Sequence, residues 1–230
     1  MSSEAKTPAA DPPRYARWKR WLVFPIARLY THWVLGRASG GIGIGPGPIR
    51  SERFRAASRG GMLVVANHAS GLDPILAQYG FSRPIHFMAT HDRFEIPWLA
   101  RLMRFFHAFP VHRGKGDRAA LRRAIRLLQL GEVVGIFPEG GLSEDGTLQP
   151  LERGVTMLIR QTGVPVVVCG IAGARAYMGW GEMAVKPARG EITIRYAGPF
   201  DFRDVPDGEI IAKLTTSLHE LTGEAGKLPA

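Results

Sequence analysis

From about residue 50 onward the chain alternates short β-branched, apolar runs with helical stretches, and few architectures accept that alternation. Met62–Ala66, Ile85–Ala89, Val133–Phe137 and Val164–Cys169 read as strands. Glu191–Ala197 alternates strictly, with Ile192, Ile194 and Tyr196 on one side. Helical patterns fill the intervals: Pro74–Tyr79, Trp98–Phe106, Arg118–Leu130 and Glu152–Gln161. Asp117 stands where an N-cap belongs and Gly131 where that helix should stop, with Leu121, Ile125 and Leu128 expected to face inward. Ile210, Ile211, Leu214, Leu218 and Leu221 form a last amphipathic helix. Strands separated by helices predict an α/β sandwich: a mainly parallel or mixed central sheet flanked by helices.

At 230 residues the chain suits one domain with a terminal extension. Residues 1–13 read as a flexible tail with neither the apolar core nor the cleavage site of a signal peptide, and residues 223–230 as a short C-terminal tail. Between them we expect a helical segment at 14–37, a Gly/Pro linker at 38–49 and the α/β domain at 50–222. The linker mimics a dinucleotide loop, but Pro48 stands where the third glycine of Gly43-x-Gly45 would belong, and the fingerprint fails. No P-loop and no G-x-S-x-G elbow occurs. The single cysteine, Cys169, excludes an intramolecular disulfide and a cysteine-rich zinc site, so a reducing compartment is the simplest setting.

Thirty basic against twenty acidic residues leave a net charge of +10. Such an excess asks for a polyanionic partner. Residues 1–37 hold seven basic and two acidic side chains, half of that excess. In the same region Trp18, Trp21, Leu22, Ile26, Leu29 and Trp33 share one helical face, with Arg17, Lys19, Arg20 and Arg28 mostly off it and Pro25 breaking or kinking it. A tryptophan-faced, basic-flanked helix suits the headgroup layer of an anionic membrane. The alternative is a helix packed on the domain core with its arginines solvated. The longest apolar runs, Trp21–Ala27 and Val164–Ala174, are too short to span a bilayer. A nucleic-acid partner is disfavoured, because the basic segments of the α/β body carry no zinc finger, RNP-type motif or interleaved aromatics.

Four segments could carry chemistry, the last of them Gly163–Val168, a core strand first and a wall for an apolar chain second. Asn67-His68-Ala69-Ser70-Gly71-Leu72-Asp73-Pro74 leaves the carboxyl end of a buried strand, where open α/β sheets place ligands. A turn at Ser70-Gly71 can bring the Asp73 carboxylate to the His68 imidazole, fixing one tautomer and leaving the other nitrogen as a general base. Equally, Asp73 before Pro74 is a good helix cap and His68 could be an ordinary loop histidine. Arg113 and Lys115, in a glycine-containing turn, could hold a phosphate or be a solvated basic loop. In Phe137-Pro138-Glu139-Gly140-Gly141 a strand ends at a carboxylate that could bind substrate hydroxyls, anchor a basic residue, or sit exposed on a turn.

Asn67-His68-x4-Asp73 with Phe137-Pro138-Glu139-Gly140, the intervening Phe87–Arg113 with Ile96-Pro97, and Val164-Pro165 before an apolar strand together resemble the glycerophospholipid acyltransferase superfamily. The likeness covers about residues 45–222 and is nearest the bacterial 1-acylglycerol-3-phosphate acyltransferases. It implies the acyltransferase-type sandwich, His68 as the general base of an HX4D motif and Asp73 as its orienter. It also implies Arg113 on the acceptor's phosphate, and Glu139 and Gly140 in the acceptor site, with Asn67, Ser70 and Gly141 beside them. It implies no metal and no resident cofactor: the acyl group comes from acyl-CoA or acyl carrier protein. The acceptor would be a lysophospholipid, above all 1-acyl-sn-glycerol 3-phosphate, at the cytoplasmic face of a membrane. Two departures stand out. Gly141-Leu142-Ser143 replaces the family's usual Thr-Arg-Ser, and Thr90-His91 stands where a lysine is common. Both weaken the phosphomonoester and leave open another lysolipid or lipid-like alcohol. The rival from a different class is a non-catalytic peripheral membrane protein.

Overall fold

A computed structural model describes residues 42–44, 59–79, 81, 83–112, 117–182 and 184–223. The expected membrane-interface residues Arg17, Trp18, Lys19, Arg20, Trp21 and Trp33 lie outside the described residues, as do Arg113 and Lys115.

The strands are β1 (Ile42–Ile44), β2 (Met62–Ala66), β3 (Ile85–Thr90), β4 (Phe109–Val111), β5 (Val133–Ile136), β6 (Val166–Ala172) and β7 (Ile192–Phe200). They form one sheet in the order β1-β7-β6-β2-β5-β3-β4. Every neighbouring pair is parallel except β6 with β7, so the sheet is mixed, as expected. The helices are α1 (Asp73–Tyr79), α2 (Asp92–Glu95), α3 (Pro97–Phe105), α4 (Arg118–Gln129), α5 (Gly154–Thr162) and α6 (Asp207–Thr222).

Central β2 is fully buried from Met62 to Ala66, which is why it reads as an unbroken apolar run rather than an alternating one. Its two faces feed two cores. Met62, Val64 and Ala66 pack with Leu76, Phe81, Tyr177, Ile192 and Tyr196. Leu63 and Val65 pack with α4, α5 and α6 through Ala124, Leu128, Leu158, Ile159, Ile210 and Leu214.

Several expectations shift. The stretch 38–49 is not wholly linker, since Ile42–Ile44 pairs in parallel with Ile192–Ile194 at the sheet edge. Phe109–Val111 is a strand on the opposite edge, where Pro110 sacrifices no central ladder bond. Asp117 caps α4 as expected, accepting the N–H groups of Ala119 and Ala120. On α4, however, Ala120, Ala124 and Leu127 are buried with Leu128, whereas Leu121 and Ile125 are only half-buried. The small alanines let the helix approach the sheet, so the larger residues end at the rim.

Candidate active site

Strands β2, β5 and β6 run parallel, so the loops leaving their carboxyl ends meet at one end of the sheet. His68 follows β2, Glu139 follows β5 and Arg175 follows β6 on a short 3-10 turn, Ala174–Ala176. A cleft opens among them, lined by Asn67, His68, Glu139, Thr147, Leu148, Gly173 and Arg175. This is the position at which open α/β sheets bind ligands.

The loop after β2 folds back on Asp73. One oxygen, Oδ2, accepts the N–H of Ala69 at 2.8 Å and of Ser70 at 2.7 Å, and lies 3.0 Å from His68 Nδ1. The aspartate thus shapes the turn and orients the ring at once, and α1 begins at the same residue. With Nδ1–H donated to the carboxylate, Nε2 is the basic nitrogen on a ring that lines the cleft. Asp73 is fully buried, and its Oδ1 has no hydrogen-bond partner among the described residues. Burial pushes the carboxyl above its ordinary value, while His68 and the N–H groups of Ser70 and Ala69 pull it back.

Two aromatic rings hold the imidazole in place. His68 stacks on Phe137 with centroids 4.0 Å apart and planes at 16°, and Phe137 stacks on Phe87 at 5.2 Å. Phe87 lies over Gly135, its partner across the β3–β5 ladder. A Cβ on Gly135 would come within 2.3 Å of the Phe87 ring. The glycine in β5 is the space the stack needs.

Glu139 fastens the backbone. Its Oε1 accepts the His68 N–H at 2.6 Å and its Oε2 the Gln149 N–H at 2.9 Å, while the His68 carbonyl accepts from Ser143 N–H at 2.8 Å. The His68 loop is therefore clamped from both sides by the segment after β5. Gly140 has φ +71°, and a Cβ there would come within 2.3 Å of Glu152 Oε1.

Not every expected residue faces the cleft with free polar atoms. Asn67 lines it, but its side chain continues the β2–β6 ladder: Nδ2 donates to the Ile171 carbonyl at 2.9 Å and Oδ1 accepts the Ile171 N–H at 2.8 Å. Ser70 is buried, donating its hydroxyl to the Met178 carbonyl at 2.7 Å and accepting from Leu72 N–H at 3.1 Å. The Gly140 N–H closes a turn on the Phe137 carbonyl at 3.2 Å, so it is spent within the loop. Gly141 is half-buried beside it and is not among the cleft's walls. Cys169 is buried in β6, and burial pushes its thiol far up, away from nucleophilic use. Arg175 belongs to no motif in the sequence, yet it is the one arginine or lysine among the described residues of the cleft. It lies against Gly146 and donates from Nη2 to the Glu144 carbonyl.

The family model described as Acyltransferase matches residues 49–172, which hold the whole His68–Asp73–Glu139 assembly. The 1-acyl-sn-glycerol-3-phosphate acyltransferase of Bacillus subtilis is 28% identical over 164 residues, 70% of this chain and 78% of that one. The chloroplastic 1-acyl-sn-glycerol-3-phosphate acyltransferase of Brassica napus is 31% identical over 123 residues, 53% of this chain and 36% of that one. The crystal structure of the 1-acyl-sn-glycerophosphate acyltransferase of Thermotoga maritima shares the fold, with a TM-score of 0.71 at 22% identity, covering 91% of this chain and 83% of that one.

Proposed function

The chain belongs to the acyltransferase family, and from that premise we propose that it moves a fatty acyl group from a thioester to a hydroxyl of 1-acyl-sn-glycerol 3-phosphate in phospholipid biosynthesis. The activity for which the relatives are named supports that acceptor. The donor is acyl-CoA or acyl carrier protein, either of which supplies the thioester.

The observation that carries the reading is the 3.0 Å contact between His68 Nδ1 and buried Asp73 Oδ2 beside a cleft. As the acceptor oxygen attacks the thioester carbonyl, His68 Nε2 takes the hydroxyl proton and Asp73 stabilises the imidazolium. The C–S bond then breaks, and the departing thiolate takes that proton, leaving an ester, a free thiol and neutral His68. General-base assistance of this kind supplies about 100- to 10,000-fold. Glu139 acts through the His68 backbone, holding the ring where the stack on Phe137 presents it. Arg175 meets the acceptor's phosphate in the cleft, the role that Leu142 has no charge to fill, with Arg113 as a second cation.

A related reading, transfer to another lysolipid or a lipid-like alcohol, draws on Leu142 and on Thr90-His91 where cations are common. The two are separated by comparing lysophosphatidic acid, other lysophospholipids and non-phosphorylated alcohols, read by thiol release and product mass. The non-catalytic rival is separated by His68→Ala, which abolishes thiol release while the protein stays folded. Substantial remaining turnover removes His68 as the base.

Among the described residues no helix is long and apolar enough to cross a membrane. Attachment to one leaflet, at its cytoplasmic face, is the reading that fits a lipid acceptor. In it residues 14–37 lay Trp18, Trp21 and Trp33 among the headgroups and Arg17, Lys19 and Arg20 against anionic lipid.

A further inference from the structure

We infer that α2 and α3 form a second bilayer contact, which inserts Ile96, Trp98, Leu102 and Phe105 into the headgroup layer of an anionic leaflet. A helix crossing between neighbouring parallel strands normally lays an apolar face on the sheet. α3 does not. Of its nine residues only Ala100 is buried, and it packs chiefly on α2. Trp98 is 63% exposed, Phe105 45%, Leu102 44% and Ile96, at the joint between the helices, 37%. Trp98, Leu102 and Phe105 fall at the spacing that places them on one helical face, and Ala100 lies on the other side.

Sequence spacing alone gives the helix an apolar face and does not say what covers it. The structure turns it outward. Its surroundings state what covers it. Arg101 and Arg104 are exposed on α3, which carries no carboxylate, while on α2 the exposed Arg93 stands between Asp92 and Glu95, so the positive charge of the pair is that of α3. An apolar face with an arginine shoulder is the pattern of an interfacial helix. Two other occupants are conceivable: residues 14–37 of this chain, or a second copy. Residues 14–37 bring arginines and no carboxylate, and a second copy would oppose one arginine-shouldered α3 to another, so each would set like charge against like charge. An anionic leaflet is the complement.

Location gives the contact a purpose. β4 pairs only with Met88–Thr90, the last residues of β3, so α2 and α3 are held at the carboxyl end of the sheet. His68 stands at that same end, after β2. A leaflet lying on Trp98 and Leu102 would bring its lipids to the mouth of the site, so the acceptor need not leave the bilayer. The proposal rests on the one-leaflet reading above but assigns a different contact, and its test needs no turnover.

The test is an environment-sensitive fluorophore on Leu102→Cys in the full chain, since Cys169 is buried and resists labelling. Vesicles of phosphatidylglycerol should shift its emission to the blue, and phosphatidylcholine vesicles should do so far less. Leu102→Glu with Phe105→Glu should weaken binding to phosphatidylglycerol vesicles at least tenfold while thiol release on a detergent-dispersed acceptor persists. An unshifted fluorophore on sedimented protein overturns the contact, as does unchanged affinity of the double variant. A blue emission already present in dilute protein without vesicles assigns the face to residues 14–37 instead. A shift that follows protein concentration assigns it to a second copy. Loss of thiol release in the wild type would overturn the catalytic reading and leave the vesicle result standing.

Discussion

Asp73 serves two demands that pull in opposite directions. Its charge must be available to orient and steady the His68 ring, yet it is fully buried, and one oxygen has no hydrogen-bond partner among the described residues. Because burial raises its carboxyl above the ordinary value, the folded chain holds that proton more tightly than the unfolded chain. The sign follows from linkage: stability falls as pH rises from the ordinary carboxylate value through the raised one. Asp73→Asn removes that slope, so the difference in Tm between variant and wild type should shift in the variant's favour across this window. At neutral pH the variant should be no less stable, whereas turnover should drop by about 100- to 10,000-fold through the lost orientation of the base. A parallel loss of both, measured by thermal melts and thiol release, would make Asp73 a structural cap only. Arg175 invites a separate measurement. Arg175→Ala should raise KM for a phosphorylated acceptor about tenfold or more, the worth of a charge-assisted hydrogen bond, and leave a non-phosphorylated alcohol unaffected. An equal effect on both acceptors would reduce it to a clip for the Glu144 loop.

Elements, rather than residues, decide whether that chemistry assembles. The imidazole sits at the end of a stack that begins on β3 with Phe87, crosses Gly135 on β5 and reaches His68 through Phe137. A methyl at Gly135 cannot be accommodated without moving Phe87. Gly135→Ala should therefore destabilise the domain by roughly 1–3 kcal/mol, the usual cost of overpacking. It should also lower kcat more than KM, because the ring presenting Nε2 shifts. Normal kcat in a folded Gly135→Ala protein would dissociate the stack from catalysis. This link was invisible in sequence, where Gly135 interrupts a β-branched run with no sign of what passes over it. The HX4D spacing, by contrast, was readable, because a turn of that length between a buried strand and a helix leaves Asp73 within reach of His68. Short edge strands were not readable. Ile42-Gly43-Ile44 lies among glycines and prolines, and Phe109-Pro110-Val111 carries a residue that usually argues against a strand. Both are strands because a distant partner offers an open edge, which no local pattern reports.

For the whole molecule, the +10 net charge and the outward apolar face of α3 bear on one question: how a chain whose described helices are all too short to span a bilayer meets a lipid substrate. The layered α/β body was legible because strand and helix patterns alternate along the chain and the unbroken apolar run of β2 records burial on both of its faces. The face of α3 was not, since an apolar stripe looks alike whether it meets protein or lipid. Only the structure, in which Ala100 alone is buried while Trp98, Leu102 and Phe105 are exposed, separates the two. If the charge draws the chain to the leaflet and the apolar residues hold it there, salt should divide the contributions. Raising ionic strength from about 0.1 to 1 M shortens the screening length from about 10 to 3 Å. Sedimentation with anionic vesicles should fall steeply over that range and level off above zero, the remainder coming from buried tryptophan, leucine and phenylalanine. Deleting residues 1–37 removes half the net charge and should flatten the salt-dependent part, while the remainder contributed by α3 persists. Complete loss of binding in high salt would mean that attraction is purely electrostatic and that no side chain enters the bilayer.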